Sequence, residues 1–247
     1  MHSPLRFVFN RRELKFPLTS HLWQEVVDCA ERYLPVERFD GVHGVVNIRT
    51  TYLDTPDFNS YREYQEARPV RRKVRIRQYG YDGQFDGACW VEIKIKRYRD
   101  SLKRRFGCST EVLLDLMGGK DIRDHVVQCN PDFPEVTDVY RAARSMIVDG
   151  PLGPVVRVDY DRVSFQDPSS PEVRITVDRG IHFRNARQSK SAAYDGVVLE
   201  VKYDDGEPEW LGKFLRELDL FQSRRFSKFA RAVKELKVDQ IARRDSA

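Results

Sequence analysis

Apolar and charged residues alternate along much of the chain, which is the pattern of β-strands with one face in a core. The alternation is clearest at 70–79, where Val74 and Ile76 interrupt a run of cations, and at 88–98. Asp54-Thr55-Pro56 and the Tyr81-Asp82-Gly83 region are turn signals that separate such runs. The pattern predicts strands at 5–16, 44–54, 70–79, 88–98, 101–106, 154–166, 172–178, 180–184 and 196–203.

Helical spacing of apolar residues appears in three parts of the chain. The first helix follows Thr19 or Ser20, either of which can cap it, and runs to about Leu34. A helical insert is expected at about 109–149, and two helices at about 208–238. Without a long linker or an internal repeat, residues 1–247 are expected to form one domain. About eight strands split around a helical insert predict an α+β fold built on a closed antiparallel β-barrel rather than βαβ units.

The charge pattern points to an anionic partner. Net charge is only +5, with 33% charged residues, but the cations are concentrated in two neighbouring segments. Such local density suits phosphate, nucleic acid or an acidic membrane surface. The cations of the two segments are Arg71, Arg72, Lys73, Arg75 and Arg77, then Lys94, Lys96, Arg97, Arg99, Lys103, Arg104 and Arg105.

Cysteine usage and the first residues suggest a cytoplasmic protein. The 4 cysteines are scattered without a C-x-x-C pair or nearby histidine ligands, which argues against zinc and for a reducing compartment. The beginning of the chain has no apolar signal-peptide run, and no segment approaches the length of a membrane span.

The spacing Glu-x-Lys occurs in three predicted strands, each time around an aliphatic residue. Because side chains alternate between faces, the carboxylate and the ammonium share one face while the aliphatic residue takes the other. Three widely separated copies suggest strands that converge on one polar cavity. The pairs are Glu13 with Lys15, Glu92 with Lys94, and Glu200 with Lys202.

Other cations fall on the same predicted face. A solvent face is the ordinary explanation for any one strand. However, like charges directly across a strand pair are destabilising, so a whole face of cations indicates an anion that carries several charges. The glutamates would then suit a hard divalent cation that bridges carboxylate and phosphate oxygens, and Asp178 would suit a salt bridge to an arginine. The cations of neighbouring strands are Arg75, Arg77, Lys94, Lys96, Lys103 and Arg105.

These motifs, in this order and spacing, resemble the VTC (vacuolar transporter chaperone) polyphosphate polymerase domain, a branch of the triphosphate tunnel metalloenzymes. The resemblance runs from about Arg11 to Phe229. The matching stretches are Arg12-Glu13-Leu14-Lys15-Phe16, Tyr52-Leu53-Asp54-Thr55, residues 74–80, 91–94, 101–106, 160–166, 173–178 and 198–203, and Arg225-Phe226-Ser227-Lys228-Phe229.

The resemblance implies a basic barrel lumen that binds ATP and inorganic polyphosphate, together with Mn²⁺ or Mg²⁺. It implies transfer of the ATP γ-phosphate to a growing polyphosphate chain. The implied catalytic residues are Arg75, Arg77, Lys94, Arg174 and Lys103. The implied substrate-binding residues are Lys15, Lys96, Arg105, Tyr160, Arg162 and Lys202, with Arg225 and Lys228 on the C-terminal helix. The implied metal ligands are Glu200 first, then Glu13 and Glu92.

One departure bears on the reaction. Tunnel hydrolases typically begin with Glu-x-Glu-x-Lys, and here Arg11 stands at the first glutamate position. The loss of one carboxylate favours a polymerase over a two-metal hydrolase. Hydrolysis of triphosphate or nucleoside triphosphates, and a non-catalytic polyphosphate-binding module, stay open as alternatives. Nucleic acid is a minor alternative because no RNA-binding motif accompanies the cations, and export of a product would need a membrane-protein partner.

Overall fold

The computed structural model describes residues 12–37, 44–98, 100–204 and 206–238, and they form one large antiparallel sheet with helices around it. The strands are β1 (Arg12–Leu18), β2 (Val45–Asp54), β3 (Val70–Tyr81), β4 (Gln84–Phe85), β5 (Ala88–Arg97), β6 (Asp100–Ser109), β7 (Gly153–Gln166), β8 (Arg174–Asn185), β9 (Ser191–Tyr194) and β10 (Val197–Tyr203). The α-helices are α1 (Trp23–Glu31), α2 (Asn59–Gln65), α3 (Thr110–Met117), α4 (Arg123–Cys129), α5 (Val136–Arg144), α6 (Leu211–Glu217) and α7 (Lys228–Leu236). A 3₁₀ turn (Ser20–Leu22) precedes α1, and a π-helical turn (Ser145–Asp149) follows α5.

The sheet is an open path rather than a closed ladder. Its order is β1-β10-β8-β7-β2-β3-β5-β6, with β4 beside β3 and β9 beside β8. The predicted α+β class with an antiparallel sheet is confirmed. Closure of the barrel is not confirmed, because within the described ranges no backbone pairing joins β1 to β6. Other groups occupy parts of the two free edges: Arg224 N–H donates to Lys15 O, and the Asn130 amide bonds both backbone groups of Gly107.

Helices cover the outer face of the sheet in two places. The aliphatic residues of β1, β8 and β10 that alternate with the charges pack against α1 and α6. The corresponding residues of β3, β5 and β6 pack against α3, α4 and α5, which confirms the helical insert. Burial of these apolar side chains away from water fixes which face each charged residue must take.

The C-terminal helix α7 packs on the opposite face of the sheet. Its residues Phe229, Val233 and Leu236 form an apolar cluster with inward residues of β2, β7 and β8. The Phe229 ring stacks on Tyr52 with the centroids 5.0 Å apart. This inner face is therefore part apolar and part charged, and α7 lies along the boundary.

Several elements differ from the predictions. The strands predicted at 172–178 and 180–184 are one strand, β8, with an irregular register opposite Asp159 and Asp161 where Gly180 adopts φ +58°. Neither α2 nor β9 was predicted. The Asp54 carboxylate accepts the N–H groups of Ser60 and Tyr61, which anchors the start of α2. The part of the predicted first strand before Arg12 lies outside the described residues.

Candidate functional site

Strand register places the predicted charged residues on one face. Glu13 lies opposite Lys202 and Lys15 opposite Glu200 across β1 and β10. Across β3, β5 and β6, Lys94 lies opposite both Lys73 and Lys103. The parity argument is thus confirmed, including the direct opposition of like charges.

The sheet curls so that this face points inward. Side chains of unpaired strands touch: Lys94 of β5 lies 3.7 Å from Glu13 of β1, which is distant in the sheet order, and Arg77 of β3 lies 3.3 Å from the Tyr160 hydroxyl of β7, on the far side of β2. Contacts of this kind bring the inward side chains of the curled sheet together, and we call the region that they line the lumen.

Glu92 is the anionic centre of one half of the lumen. Its side chain is fully buried, and Arg75 Nε donates to it at 2.6 Å. Lys103 forms a close ion pair with it, while Arg105 and Arg77 lie at 3.8 and 4.0 Å. Burial alone would raise the pKa of Glu92, but Arg75, Lys103 and Arg77 lower it well below its usual range. Glu92 is therefore the counter-ion of four cations.

Glu200 and Glu13 form a second centre on β10 and β1. Glu200 contacts Lys202 closely and Lys15 at 3.0 Å, and Glu13 contacts the same two lysines. Burial opposes ionisation of Glu200, but Lys15 and Lys202 hold its pKa well below the usual range. Burial also opposes the charge of Lys15, yet Glu200 and Glu13 raise its pKa. Glu13 additionally lies 3.9 Å from Lys202.

A third centre is Asp178 on β8. Arg162 donates to both of its oxygens, at 2.6 and 2.8 Å, and Lys228 donates at 2.5 Å from the first residue of α7. Burial raises the pKa of Asp178, but Arg162 and Lys228 lower it to about 2. The predicted salt bridge of Asp178 to an arginine is confirmed, and this cluster fastens α7 to the sheet.

The remaining predicted residues lie nearer the edges of the lumen. Arg174 is opposite Lys202 in register, but its guanidinium donates to Gln166 at 2.9 Å and Glu37 at 3.3 Å. Lys96 faces Arg71 across β5 and β3. Arg225 precedes α7 rather than lying on it, which corrects its predicted position, and its guanidinium stacks 3.8 Å from the centre of the Tyr64 ring.

Sequence reasoning passed over Lys73 as a functional residue. It shares the face of Arg75 and donates to the Ser227 hydroxyl at 3.0 Å.

Sequence reasoning also passed over the apolar part of the lumen. Val46 and Ile48 share the inner face of β2 with Tyr52, and the spacing of Phe229 and Val233 in α7 supplies a matching apolar stripe. The apolar alternation in β2 and the apolar spacing in α7, taken together, could have predicted the apolar part of the lumen.

The three glutamates do not form one metal cluster. Among the described residues no group of three or more His, Cys, Asp or Glu side chains could hold an ion. Glu13 and Glu200 are adjacent, whereas Glu92 lies among its own cations. Two carboxylates fit one hard cation such as Mg²⁺, which commonly takes one or two carboxylates and completes its shell with phosphate and water.

One cavity lies away from the lumen, on the helical insert. It measures about 460 Å³ and is lined by residues of α4, α5 and the turn after α5. Its arginines are already paired: Arg123 contacts Asp121 and Arg144 contacts Asp149. No excess of unpaired charge or buried reactive group marks it, so the lumen is the candidate site.

In the described ranges, no helix is both long and apolar enough to span a membrane.

Comparisons with known proteins agree with this fold. A family model described as the VTC domain matches residues 10–237. Subunit 2 of the vacuolar transporter chaperone complex of Schizosaccharomyces pombe is 23% identical over 92% of the chain, and subunit 4 is 23% identical over 78%. The chain spans only 38% and 32% of the lengths of these relatives. A crystal structure of a candidate adenylate cyclase from Bacillus halodurans superposes with a TM-score of 0.52 at 14% identity, covering 90% of this chain and 98% of that one.

Proposed function

The chain belongs to the VTC domain family, and from that premise we propose that it is a polyphosphate polymerase that transfers the ATP γ-phosphate to an inorganic polyphosphate chain. The observation that carries the proposal is the lumen, where cations of five strands surround a few carboxylates. Such a face is stabilised when a ligand with several negative charges enters. The cations are Lys15, Arg75, Arg77, Lys94, Lys103, Arg105 and Lys202.

In the proposed reaction a terminal oxygen of polyphosphate attacks the γ-phosphorus of ATP in line. The bond from the γ-phosphorus to the β–γ bridging oxygen breaks, ADP leaves with that electron pair, and the chain gains one phosphoanhydride. Phosphoryl transfer needs positioning and charge stabilisation more than covalent chemistry. No general base is required, because the attacking oxygen is already anionic.

The three carboxylate centres suggest which residues contact which phosphate groups of the substrates. Arg75 and Arg77 have planar guanidinium groups suited to bidentate contacts with the γ-phosphate. Lys94 lies between the Glu92 and Glu13 centres and would contact the same group. Lys103 and Arg105 would neutralise neighbouring phosphates. Each cation is already held in place by a carboxylate, so little reorganisation is needed when the substrate binds.

Glu200 and Glu13 are the residues proposed to hold Mn²⁺ or Mg²⁺. A bound ion would supply a Lewis acid that offsets charge on the phosphate oxygens. Lys15 and Lys202 would then be free to turn from the carboxylates to the phosphates.

Hydrolysis of the same substrates is the second candidate function. The presence of only two adjacent carboxylates among the described residues favours the polymerase, because a two-metal hydrolase needs more ligands.

The names of the curated relatives support a further part of the proposal. They are subunits of a complex, and this chain matches about a third of their length. We propose that it works in the cytoplasm together with other proteins, one of them in a membrane if the product is exported.

The test is incubation of the purified protein with ATP and Mn²⁺ or Mg²⁺, followed by gel analysis of phosphate chain length. We expect chains longer than any supplied primer. Glu200→Gln should reduce the rate by about 100-fold or more, by analogy with the loss of one transition-state contact. Glu217→Gln is the matched control, because Glu217 pairs with Arg32 outside the lumen. Orthophosphate as the sole product would show a hydrolase, and unchanged synthesis by Glu200→Gln would contradict the role of Glu200.

A further inference from the structure

Lys73 lacks the carboxylate contact that most lysines of the lumen make. Among the described residues no carboxylate forms an ion pair with Lys73. Its ammonium nitrogen instead contacts the Ser227 hydroxyl at 3.0 Å and lies 4.8 Å from the Tyr64 ring centre and 5.4 Å from that of Phe229. By contrast, the lysines that contact a carboxylate oxygen are Lys15, Lys94, Lys103, Lys202 and Lys228.

The charged groups that face Lys73 are cations on every side. Arg71 and Arg75 flank it on β3, Lys94 lies opposite on β5, and Lys15 approaches from β1. From the segment before α7, Arg225 stacks on the same Tyr64 ring.

The nearby carboxylates are engaged elsewhere. Glu13 contacts Lys15, Lys94 and Lys202, and Glu63 of α2 accepts the backbone N–H of Arg72. Burial, and then repulsion from Lys94 and Lys15, lowers the pKa of Lys73 to about 7. Above that pKa the neutral amine predominates at this position.

We propose that Lys73 is a proton-linked binding residue for condensed phosphate, whose amine is neutral in the empty lumen and takes up one proton from solvent when a phosphate chain binds. The phosphate oxygens offset the charges of Arg71, Lys94 and Lys15 and accept a hydrogen bond from the new ammonium. The same phosphate binding therefore favours protonation of Lys73, and protonation favours phosphate binding. This inference rests on the proposed function only in that the ligand is a condensed phosphate.

The test is calorimetric titration with inorganic tripolyphosphate at pH 8, in two buffers of different ionisation enthalpy. The difference in apparent binding enthalpy between the buffers gives the number of protons taken up. Lys73→Arg keeps a cation that cannot titrate, and Lys73→Met removes the cation. Protonation of tripolyphosphate itself is common to all three proteins and cancels in the comparison.

We expect the wild-type protein to take up close to one proton more than Lys73→Arg. Lys73→Met should match Lys73→Arg in proton count and bind about tenfold more weakly than wild type, the loss expected for one hydrogen bond between charged groups. Thermal unfolding of each variant verifies that it is folded, and Lys73→Met serves alone if the larger arginine is not tolerated.

Two results would overturn the inference, and they are distinguishable. Binding of tripolyphosphate with equal proton counts in wild type and both variants would remove the role of Lys73 and leave the proposed function intact. Failure of the wild-type protein to bind tripolyphosphate at all would overturn the proposed function, and this inference with it.

Discussion

Replacing Glu92 with glutamine should weaken the fold and strengthen anion binding at the same time. The fully buried carboxylate is the counter-ion of Arg75, Lys103, Arg77 and Arg105. Breaking a wholly buried ion pair costs about 3–5 kcal/mol, because the remaining charge is left uncompensated. The Arg75 and Lys103 side chains are 18% and 40% exposed, so water screens part of that loss. We therefore expect a decrease of about 2–3 kcal/mol in the free energy of unfolding.

The assay is urea unfolding of wild type and Glu92→Gln at pH 7, with and without tripolyphosphate. Without the carboxylate, the four cations are available to the ligand, so its affinity should rise several-fold and its stabilising effect should be larger. Glu217→Gln is the control, because it removes the same charge outside the lumen, where Glu217 contacts Arg32 and Tyr33, and it should leave the affinity for tripolyphosphate unchanged.

The pH dependence of this difference follows from the lowered pKa of Glu92. A carboxyl whose pKa is lower in the folded state contributes stability above its unfolded pKa, about 4.3, and loses it as the pH falls toward the folded pKa. The gap between wild type and Glu92→Gln should therefore be constant near neutrality and shrink in acid. Equal stability of the two proteins at pH 7, or weaker tripolyphosphate binding by Glu92→Gln, would refute the counter-ion argument.

Two further predictions concern Lys73 and α7. The pKa of Lys73 is about 7 in the folded protein and about 10.4 in an unfolded chain, so the unfolded state binds more protons between these values. The free energy of unfolding of wild type relative to Lys73→Met should therefore rise over this pH range by up to about 1.4 kcal/mol per pH unit. A difference that does not change with pH in urea unfolding would contradict the lowered pKa. Phe229→Ala should destabilise the protein by about 3–5 kcal/mol, because it leaves a cavity against Tyr52; a loss below about 1 kcal/mol in the same assay would show that α7 does not hold the inner apolar cluster together.

The sequence was sufficient to predict which face each charged residue takes. Strict alternation around aliphatic residues such as Ile93 and Val201 leaves one side for the charges, and register across the sheet followed that division. The positions of most strands along the chain and the helical insert were likewise accessible, since turns and periodicity are local properties.

The sequence could not supply the partners of each charge. Glu13 joins Glu200 because β1 pairs with β10, and Lys94 reaches Glu13 because the sheet curls; both are set by long-range packing rather than by local pattern. Arg174 shows the same limit, because Glu37, which it contacts, is distant in sequence and lies after α1. Closure of the barrel was inferred from strand number, whereas the described residues show two free edges.

Those free edges bear on how copies of the domain behave toward one another. An unpaired strand edge can accept a strand from a second molecule, which is the usual start of edge-to-edge aggregation. Along β6, Lys103, Arg104 and Arg105 follow one another, and beyond them the Asn130 side chain occupies the backbone groups of Gly107. Two β6 edges that approached each other would bring these cations together, which opposes pairing. The charge that prepares the lumen for anions thus also helps to keep the exposed edge of the sheet from self-associating.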